Sequence, residues 1–163
     1  MKIESFFSLL KLSISNFVCE LILFGEFVLA ATDAGRAKWV ESLANEMGVQ
    51  SAFVYKHRIS EQETEITGVN AEVQNKIVVI YDDMIRTGGS LMQAAEAYKA
   101  KGATKIKAIT THGLFSNQAL QRIEQQGIID QVISTNTHPF ALQQNSKLLS
   151  IKSVATLIFD KLK

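Results

Sequence analysis

A run of five apolar residues, Ile77 to Tyr81 (IVVIY), constrains the fold more than any other feature of the sequence. A half-exposed strand alternates apolar and polar residues, whereas a strand covered on both faces is apolar throughout. Strands of parallel sheets are covered in this way because the connecting helices pack on both faces of the sheet. The run therefore predicts a buried strand within a parallel sheet.

Strand and helix patterns alternate along the rest of the chain. Apolar residues at helical spacing predict a first helix that Gly48 ends, and capping-box spacing between Ser90 and Gln93 predicts that Ser90 opens the next helix. Residues 56–65 are polar without apolar periodicity and are predicted to form an exposed loop. Further strands are predicted over residues 27–31, 52–55, 66–69, 106–111, 131–134 and 148–151, and further helices over residues 118–125 and 153–162. This alternation is typical of an α/β fold with a mostly parallel central sheet flanked by helices.

The composition favours an ordinary globular protein of the cytoplasm. The 163 residues are 47% apolar and carry a net charge of +1, so no overall field points to nucleic acid or an anionic membrane. Cys19 is the only cysteine, which excludes an internal disulfide and suits a reducing compartment. Residues 17–31 are apolar but contain Glu20 and Glu26, and they fall short of the roughly 20 residues that a membrane-spanning helix needs. We therefore expect a cytoplasmic protein with neither a nucleic-acid nor a membrane partner.

The stretch from Lys76 to Leu91 (KIVVIYDDMIRTGGSL) carries the most informative chemistry. Its apolar strand is followed by Asp82 and Asp83, and a tight loop predicted over residues 84–89 leads to the helix at Ser90. Ligands of open α/β sheets bind at the carboxyl ends of the strands. The loop is therefore expected to lie at a binding site.

The residue types in this loop suit a sugar phosphate. Gly88 and Gly89 allow the backbone to turn sharply and to approach a ligand closely. The free N–H groups and the dipole at a helix start favour a phosphate, to which Thr87 and Ser90 can donate hydroxyl hydrogen bonds. The neighbouring carboxylates only accept hydrogen bonds, which suits the vicinal hydroxyls of a sugar. A phosphate cradle beside hydroxyl acceptors thus predicts a sugar-phosphate site.

The whole string closely resembles the ribose-phosphate-binding signature of type I phosphoribosyltransferases and of ribose-phosphate pyrophosphokinases, the phosphoribosyl pyrophosphate (PRPP) synthetases. Five further segments resemble the synthetases in particular. They are Thr32 to Gly35 (TDAG), the pair Lys56 and Arg58, Thr111 to Ser116 (THGLFS), Thr135 to Thr137 (TNT), and Ser153 to Ala155 (SVA). The resemblance covers residues 28–163 and implies a phosphoribosyltransferase-like three-layer fold.

The resemblance also implies an activity and a role for each matching residue. PRPP synthetases transfer diphosphate from ATP to the anomeric hydroxyl of ribose 5-phosphate, and AMP leaves. By motif, Asp33 would help to bind Mg²⁺, and Lys56 and Arg58 would close over the transferred diphosphate as catalytic residues. The implied ribose 5-phosphate ligands are Asp82, Asp83, Arg86, Thr87, Gly88, Gly89 and Ser90, with the two aspartates holding the ribose hydroxyls directly or through Mg²⁺.

The sequence departs from the synthetase pattern in two respects. Arg86 stands where the family signature usually has an acid, which adds a cation to the phosphate loop. Synthetases are roughly twice as long, and residues 1–27 contain no counterpart of their ATP-binding half. We therefore expect an appendage over residues 1–27 and one domain over residues 28–163.

The missing half leaves three functions open. The first is a synthetase-like protein that retains the ribose 5-phosphate and magnesium sites. The second is a PRPP-dependent phosphoribosyltransferase, and the third is a non-catalytic PRPP-binding subunit. In each case the protein is expected as a homo-oligomer or as the partner of a full-length synthetase subunit.

Overall fold

The computed structural model describes residues 26–58, 64–155 and 158–159. The strands in these ranges are β1 (Phe27–Ala31), β2 (Gln50–Arg58), β3 (Thr64–Val69), β4 (Ile77–Ile85), β5 (Lys105–Gly113), β6 (Gln131–Thr135) and β7 (Leu149–Lys152). The helices are α1 (Ala37–Met47), α2 (Gly89–Ala100), α3 (Ala119–Gln126) and α4 (Pro139–Leu142). The strands described form one sheet of order β3-β2-β1-β4-β5-β6-β7, in which β2 and β3 pair antiparallel and the other neighbours pair parallel. The predicted mostly parallel α/β sheet is confirmed.

Strand β4 is the buried strand that the apolar run predicted. It pairs with β1 on one side and with β5 on the other. Val78 and Ile80 belong to a core cluster on one face of the sheet, whereas Val79 and Tyr81 belong to a second cluster on the opposite face. Each of these four side chains is at most 3% exposed. The run is therefore apolar throughout because both of its faces are covered.

Helices cover the two faces of the sheet and give the three layers that the resemblance implied. Helices α2 and α3 bury their apolar residues in the first cluster, and α1 buries Val40, Leu43 and Ala44 in the second. The hydroxyl of Tyr98 in α2 donates to the carbonyl of Ala31 at 2.8 Å, so this buried phenol is satisfied and ties the helix to the end of β1.

Of two predicted helix boundaries, the end of α1 is confirmed and the start of α2 is wrong. Gly48 ends α1 with φ 67°, as predicted, because glycine adopts the left-handed conformation without strain. The predicted capping box of Ser90 and Gln93 is wrong. Helix α2 begins at Gly89 after Gly88, whose φ is 76°, and no side chain caps it. Ser90 consequently lies within the first turn of the helix.

Two predicted loops are shorter in the structure. Every described residue of the predicted 56–65 loop is strand, since β2 continues to Arg58 and β3 begins at Thr64. Residues 59–63 lie outside the described part. The predicted 84–89 loop begins only at Arg86, because β4 continues to Ile85 alongside β5. In both places pairing with a neighbouring strand holds extended a segment whose own pattern carries no strand signal.

The end of the chain follows the prediction in most of its described residues. Strand β7 lies where residues 148–151 were predicted to be extended, and the N–H of Ile158 donates to the carbonyl of Val154 at 3.1 Å, as in a helix. Of the predicted 153–162 helix, residues 155, 158 and 159 are helical, whereas residues 153 and 154 are not. Residues 156, 157 and 160–162 lie outside the described part, and α4 was not predicted. No helix within the described ranges is long and apolar enough to cross a membrane.

Candidate functional site

The predicted site residues lie at the carboxyl ends of β1 and β4, where the sheet has its topological switch point. From β1 the chain moves to β2 on one side, and β4 lies on the other side and leads away towards β7. Strand β1 ends at Ala31, opposite Tyr81, so β4 continues beyond its neighbour and carries its two aspartates past the end of β1. A crevice at such a point is where doubly wound sheets bind ligands.

Asp82 is the more buried member of the acid pair. The hydroxyl of Thr32, which is 2% exposed, donates to its Oδ2 at 3.4 Å. Burial, together with the hydrogen bond and charge of Asp83, raises the pKa of Asp82 to about 6, although Arg36 and the Thr32 hydroxyl oppose the shift. The protein thus holds this carboxylate where it is costly to keep it charged without a ligand.

Asp83 is held differently, by an ion pair with Arg36. The guanidinium Nη2 lies 2.6 Å from Oδ1 of Asp83. Arg36 ends the short turn Ala34–Arg36, and its backbone N–H donates to the side chain of Asp33 at 3.3 Å. This turn therefore connects Asp33, expected on the diphosphate side, to the acid pair of β4.

The phosphate loop, defined here as residues 86–90, surrounds an open cavity of about 210 Å³. Asp82 and residues 84–91 line this cavity, so a carboxylate and the start of α2 face the same space. Thr87 is half-buried, whereas Ser90 is exposed. The first turn of a helix leaves N–H groups without helical partners. The cavity thus offers amide and hydroxyl donors together with a carboxylate acceptor.

Arg86 points away from the protein core at the rim of this cavity. Its side chain is exposed and forms no ion pair with any of the described residues, while its backbone carbonyl accepts a hydrogen bond from the N–H of Ser116 at 2.8 Å. The Arg86 guanidinium therefore lies beside the cavity and has no ion-pair partner among the described residues.

Lys56 lies on the other side of the acid pair, on β2. It is half-buried, and burial lowers its pKa, while the charges of Asp33 and Asp82 act in the opposite direction. The structure thus brings Lys56 within electrostatic range of two predicted site residues. Arg58 ends β2, but its side chain lies outside the described part of the chain.

The threonine-rich motifs at the carboxyl ends of β5 and β6 are joined by a hydrogen-bond network. The hydroxyls of Thr135 and Thr137 donate to the carbonyl of Thr111 at 2.6 and 2.8 Å, and Nδ1 of His112 lies 2.8 Å from the Thr137 hydroxyl. The hydroxyls of Thr111 and Tyr81 lie 3.0 Å apart. These polar groups satisfy one another, so they fix the strand ends beside the site rather than offering free ligands.

Sequence reasoning missed the partners of the acid pair. It identified Thr32 only as part of a motif and did not single out Arg36. A hydroxyl and a cation within four residues of Asp33 were visible in the sequence, but nothing in their spacing indicates contact with residues some 50 positions later. Only the register of β1 against β4 brings the two segments together.

Comparison with known proteins identifies a matching family model and related ribose-phosphate pyrophosphokinases. Residues 2–162 match the family model described as phosphoribosyl synthetase-associated domain. The chain is 35% identical to ribose-phosphate pyrophosphokinase of Wolinella succinogenes over 82% of its length, and 33% identical to that of Thermotoga maritima over 79%. It spans 42% and 41% of these two relatives, respectively. The matched range includes residues 2–27, and the predicted division at residue 28 stays a prediction.

Solved structures with the same fold include both classes that the sequence resembles. Phosphoribosylpyrophosphate synthetase from Mycobacterium smegmatis has a TM-score of 0.81 and 29% identity, covering 93% of this chain and 49% of that one. An adenine phosphoribosyltransferase from Giardia lamblia has a TM-score of 0.58 and 15% identity, covering 76% and 77% of the two chains, and shows the shared fold alone. The phosphoribosyltransferase-like fold is thus confirmed, and the chain belongs to the phosphoribosyl synthetase-associated domain family.

Proposed function

We propose that this chain is the ribose 5-phosphate-binding domain of a ribose-phosphate pyrophosphokinase-like protein. One observation carries the proposal: Asp82 and the phosphate loop line the same cavity. A carboxylate suits sugar hydroxyls, and the start of a 12-residue helix suits a phosphate. The Asp82 carboxylate and the start of the helix lie next to each other, as they must if one ligand carries both hydroxyls and a phosphate.

Each predicted residue then has a role within this site. Thr87, Gly88, Gly89 and Ser90 hold the 5-phosphate, and the exposed cation of Arg86 adds to its attraction. Asp82 and Asp83 accept hydrogen bonds from the ribose hydroxyls. Charge on the transferred diphosphate would be met from the opposite side by Lys56 and Arg58, because transfer of this kind depends on positioning and on cations.

Magnesium fits the site as a partly hydrated ion. Among the residues that the structure describes, no three metal-binding side chains lie close enough to form a cage. Mg²⁺ usually keeps several waters and binds through one or two carboxylates together with substrate phosphates, so it needs no such cage. Asp33 and the acid pair would supply those carboxylates, and the ion would neutralise charge on the phosphate oxygens.

The proposed reaction also needs ATP, for which we assign no site on this chain. It spans less than half of the pyrophosphokinases it matches. We therefore propose that ATP-dependent turnover requires a second polypeptide region, supplied by another copy of this chain or by a full-length synthetase subunit in a cytoplasmic complex.

Three measurements on the purified protein distinguish the three candidate functions. Purified protein is incubated with ATP, ribose 5-phosphate and Mg²⁺, and AMP is measured with and without the sugar phosphate. AMP that depends on ribose 5-phosphate supports synthetase activity, whereas pyrophosphate release from PRPP with a nucleobase supports a phosphoribosyltransferase. Saturable PRPP binding without turnover supports a binding subunit, and failure of all three contradicts the proposal.

A further inference from the structure

One segment contacts three successive carbonyls of the chain around the phosphate loop. It consists of residues 113–122, at the end of β5 and the start of α3, and is called the brace below. The N–H groups of Leu114 and Phe115 donate to the carbonyl of Ile85 at 3.0 and 3.1 Å. The N–H and hydroxyl of Ser116 donate to the carbonyl of Arg86 at 2.8 and 3.2 Å.

Arg122 makes the third of these contacts with its side chain. Its Nη2 donates to the carbonyl of Thr87 at 2.5 Å. The loop also packs on α3, because a Cβ added to Gly88 would lie 3.3 Å from Cδ1 of Ile123. The carbonyls of residues 85–87 all accept hydrogen bonds from the brace, so the loop is fixed by a segment that does not line its cavity.

The brace has a strained backbone. Phe115, Asn117 and Gln118 have φ values of 47°, 54° and 56°, a left-handed conformation that non-glycine residues adopt at a cost of about 1–2 kcal/mol each. Phe115 is 3% exposed, and a Cβ at Gly113 would overlap its ring. Such strain persists only where surrounding contacts impose it, and here it delivers consecutive donors to the loop.

We propose that Arg122 is a positioning residue for the 5-phosphate, acting through the carbonyl of Thr87 without touching the ligand. The guanidinium holds this peptide so that the N–H groups of residues 88–90 stay directed into the cavity. Arg122 is the one charged side chain in the brace, and it is exposed. Core packing therefore does not explain its hydrogen bond to the carbonyl of Thr87. The inference rests on the proposed function for its ligand, but the contact itself does not.

The test compares Arg122→Gln and Arg122→Lys with wild type by two measurements. In the ligand-free protein, hydrogen exchange of the amides at residues 87–90 should accelerate about tenfold in Arg122→Gln, the equivalent of one lost charge-assisted hydrogen bond. Calorimetric affinity for ribose 5-phosphate should fall by about the same factor. Arg122→Lys keeps a donor and the charge, so its exchange rate and its affinity should lie between those of the wild type and of Arg122→Gln.

Lys101→Gln is the matched control, since it removes one positive charge from an exposed residue after the far end of α2. It should leave both measurements unchanged. Unchanged loop exchange in Arg122→Gln overturns the proposal whatever the affinity, and so does equally faster exchange throughout the protein, which would indicate general destabilisation. If the wild type binds no ribose 5-phosphate, the proposed function fails, and faster exchange confined to the loop still supports the brace.

Discussion

Arg36 and Asp83 form an ion pair 2.6 Å long that joins the turn after β1 to the end of β4. Both side chains are more than 40% exposed, at 43% and 42%. Such pairs add little to stability, about 0–1 kcal/mol. The ion pair therefore contributes little to the free energy of folding. Its main effect is to hold the Asp83 carboxylate in place beside the more buried carboxylate of Asp82.

The ion pair predicts a separation between stability and binding. Asp83→Asn should change the melting temperature by no more than about 2–4 °C, the equivalent of about 1 kcal/mol in a protein of this size. The affinity for ribose 5-phosphate should fall about tenfold or more, because a charged acceptor for the ribose hydroxyls is lost. Thermal melts and calorimetry measure the two effects. A large fall in melting temperature with unchanged affinity would assign Asp83 to the scaffold instead.

Asp82 predicts a stability that falls as pH rises. Its pKa is raised to about 6 in the folded protein, so folding favours the protonated form. That contribution is complete below the unfolded pKa of about 4 and is lost as pH rises through about 6. Asp82→Asn should match the wild type near pH 4 and be more stable near pH 7.5, as measured by urea unfolding with EDTA present. A less stable variant at pH 7.5 would contradict this account of the site.

The paired glycines of the phosphate loop predict opposite outcomes. Gly88→Ala forces a φ of 76° on alanine and places a Cβ 3.3 Å from Ile123, so it should cost about 1–2 kcal/mol of stability. Gly89 is helical and a Cβ there meets no atom within 4 Å, so Gly89→Ala should keep or slightly raise the stability. Both should weaken ribose 5-phosphate binding, since both residues line the cavity. Equal unfolding free energies for the two variants would count against the loop geometry.

Tyr81 predicts an alkaline unfolding step. Burial is the main reason that its pKa rises to about 12, so the neutral phenol is favoured in the folded state. Its contribution is intact below the unfolded pKa of about 10 and is lost as pH rises towards 12. Tyr81→Phe should flatten the decline in stability between these values, followed by circular dichroism and by tyrosinate absorbance. An unaltered decline would show that other groups, such as the buried Tyr98, control it.

Lys56 predicts an effect on turnover rather than on sugar binding. If the chain or its complex turns over, Lys56→Ala should lower kcat about 10²–10³-fold, the usual cost of one preorganised donor to a developing charge. The affinity for ribose 5-phosphate should change much less, because Lys56 lies on β2 and does not line the phosphate-loop cavity. Steady-state kinetics and calorimetry together measure the difference. Equal losses in both would remove the catalytic assignment.

Local patterns predicted the strand and the loop of the site, and long-range contacts did not follow from them. The segment from Ile77 to Ser90 has a buried strand, acids and glycines in an order that physical rules interpret directly. The contacts of Thr32 with Asp82 and of Arg122 with Thr87 join residues 50 and 35 positions apart. They depend on strand order and register, which no local pattern encodes.

The misjudged boundaries have the same origin. Met84 and Ile85 fall in the predicted 84–89 loop, yet they pair with β5 at His112 and Gly113. Ser90 has the spacing of a helix cap, but the helix already begins at Gly89, after Gly88 in the left-handed conformation. In each case a neighbouring segment, or a glycine conformation, overrides the preference of the local sequence.

The central claim is that the cavity between Asp82 and the start of α2 binds ribose 5-phosphate. Calorimetric titration of ribose 5-phosphate with Mg²⁺ into the wild type and into Asp82→Asn, which alters a carboxylate that lines the cavity, tests it most directly. The account predicts saturable binding to the wild type that is about tenfold or more weaker in the variant. Absence of binding to the wild type at millimolar ligand, or equal affinity of both proteins, would contradict it.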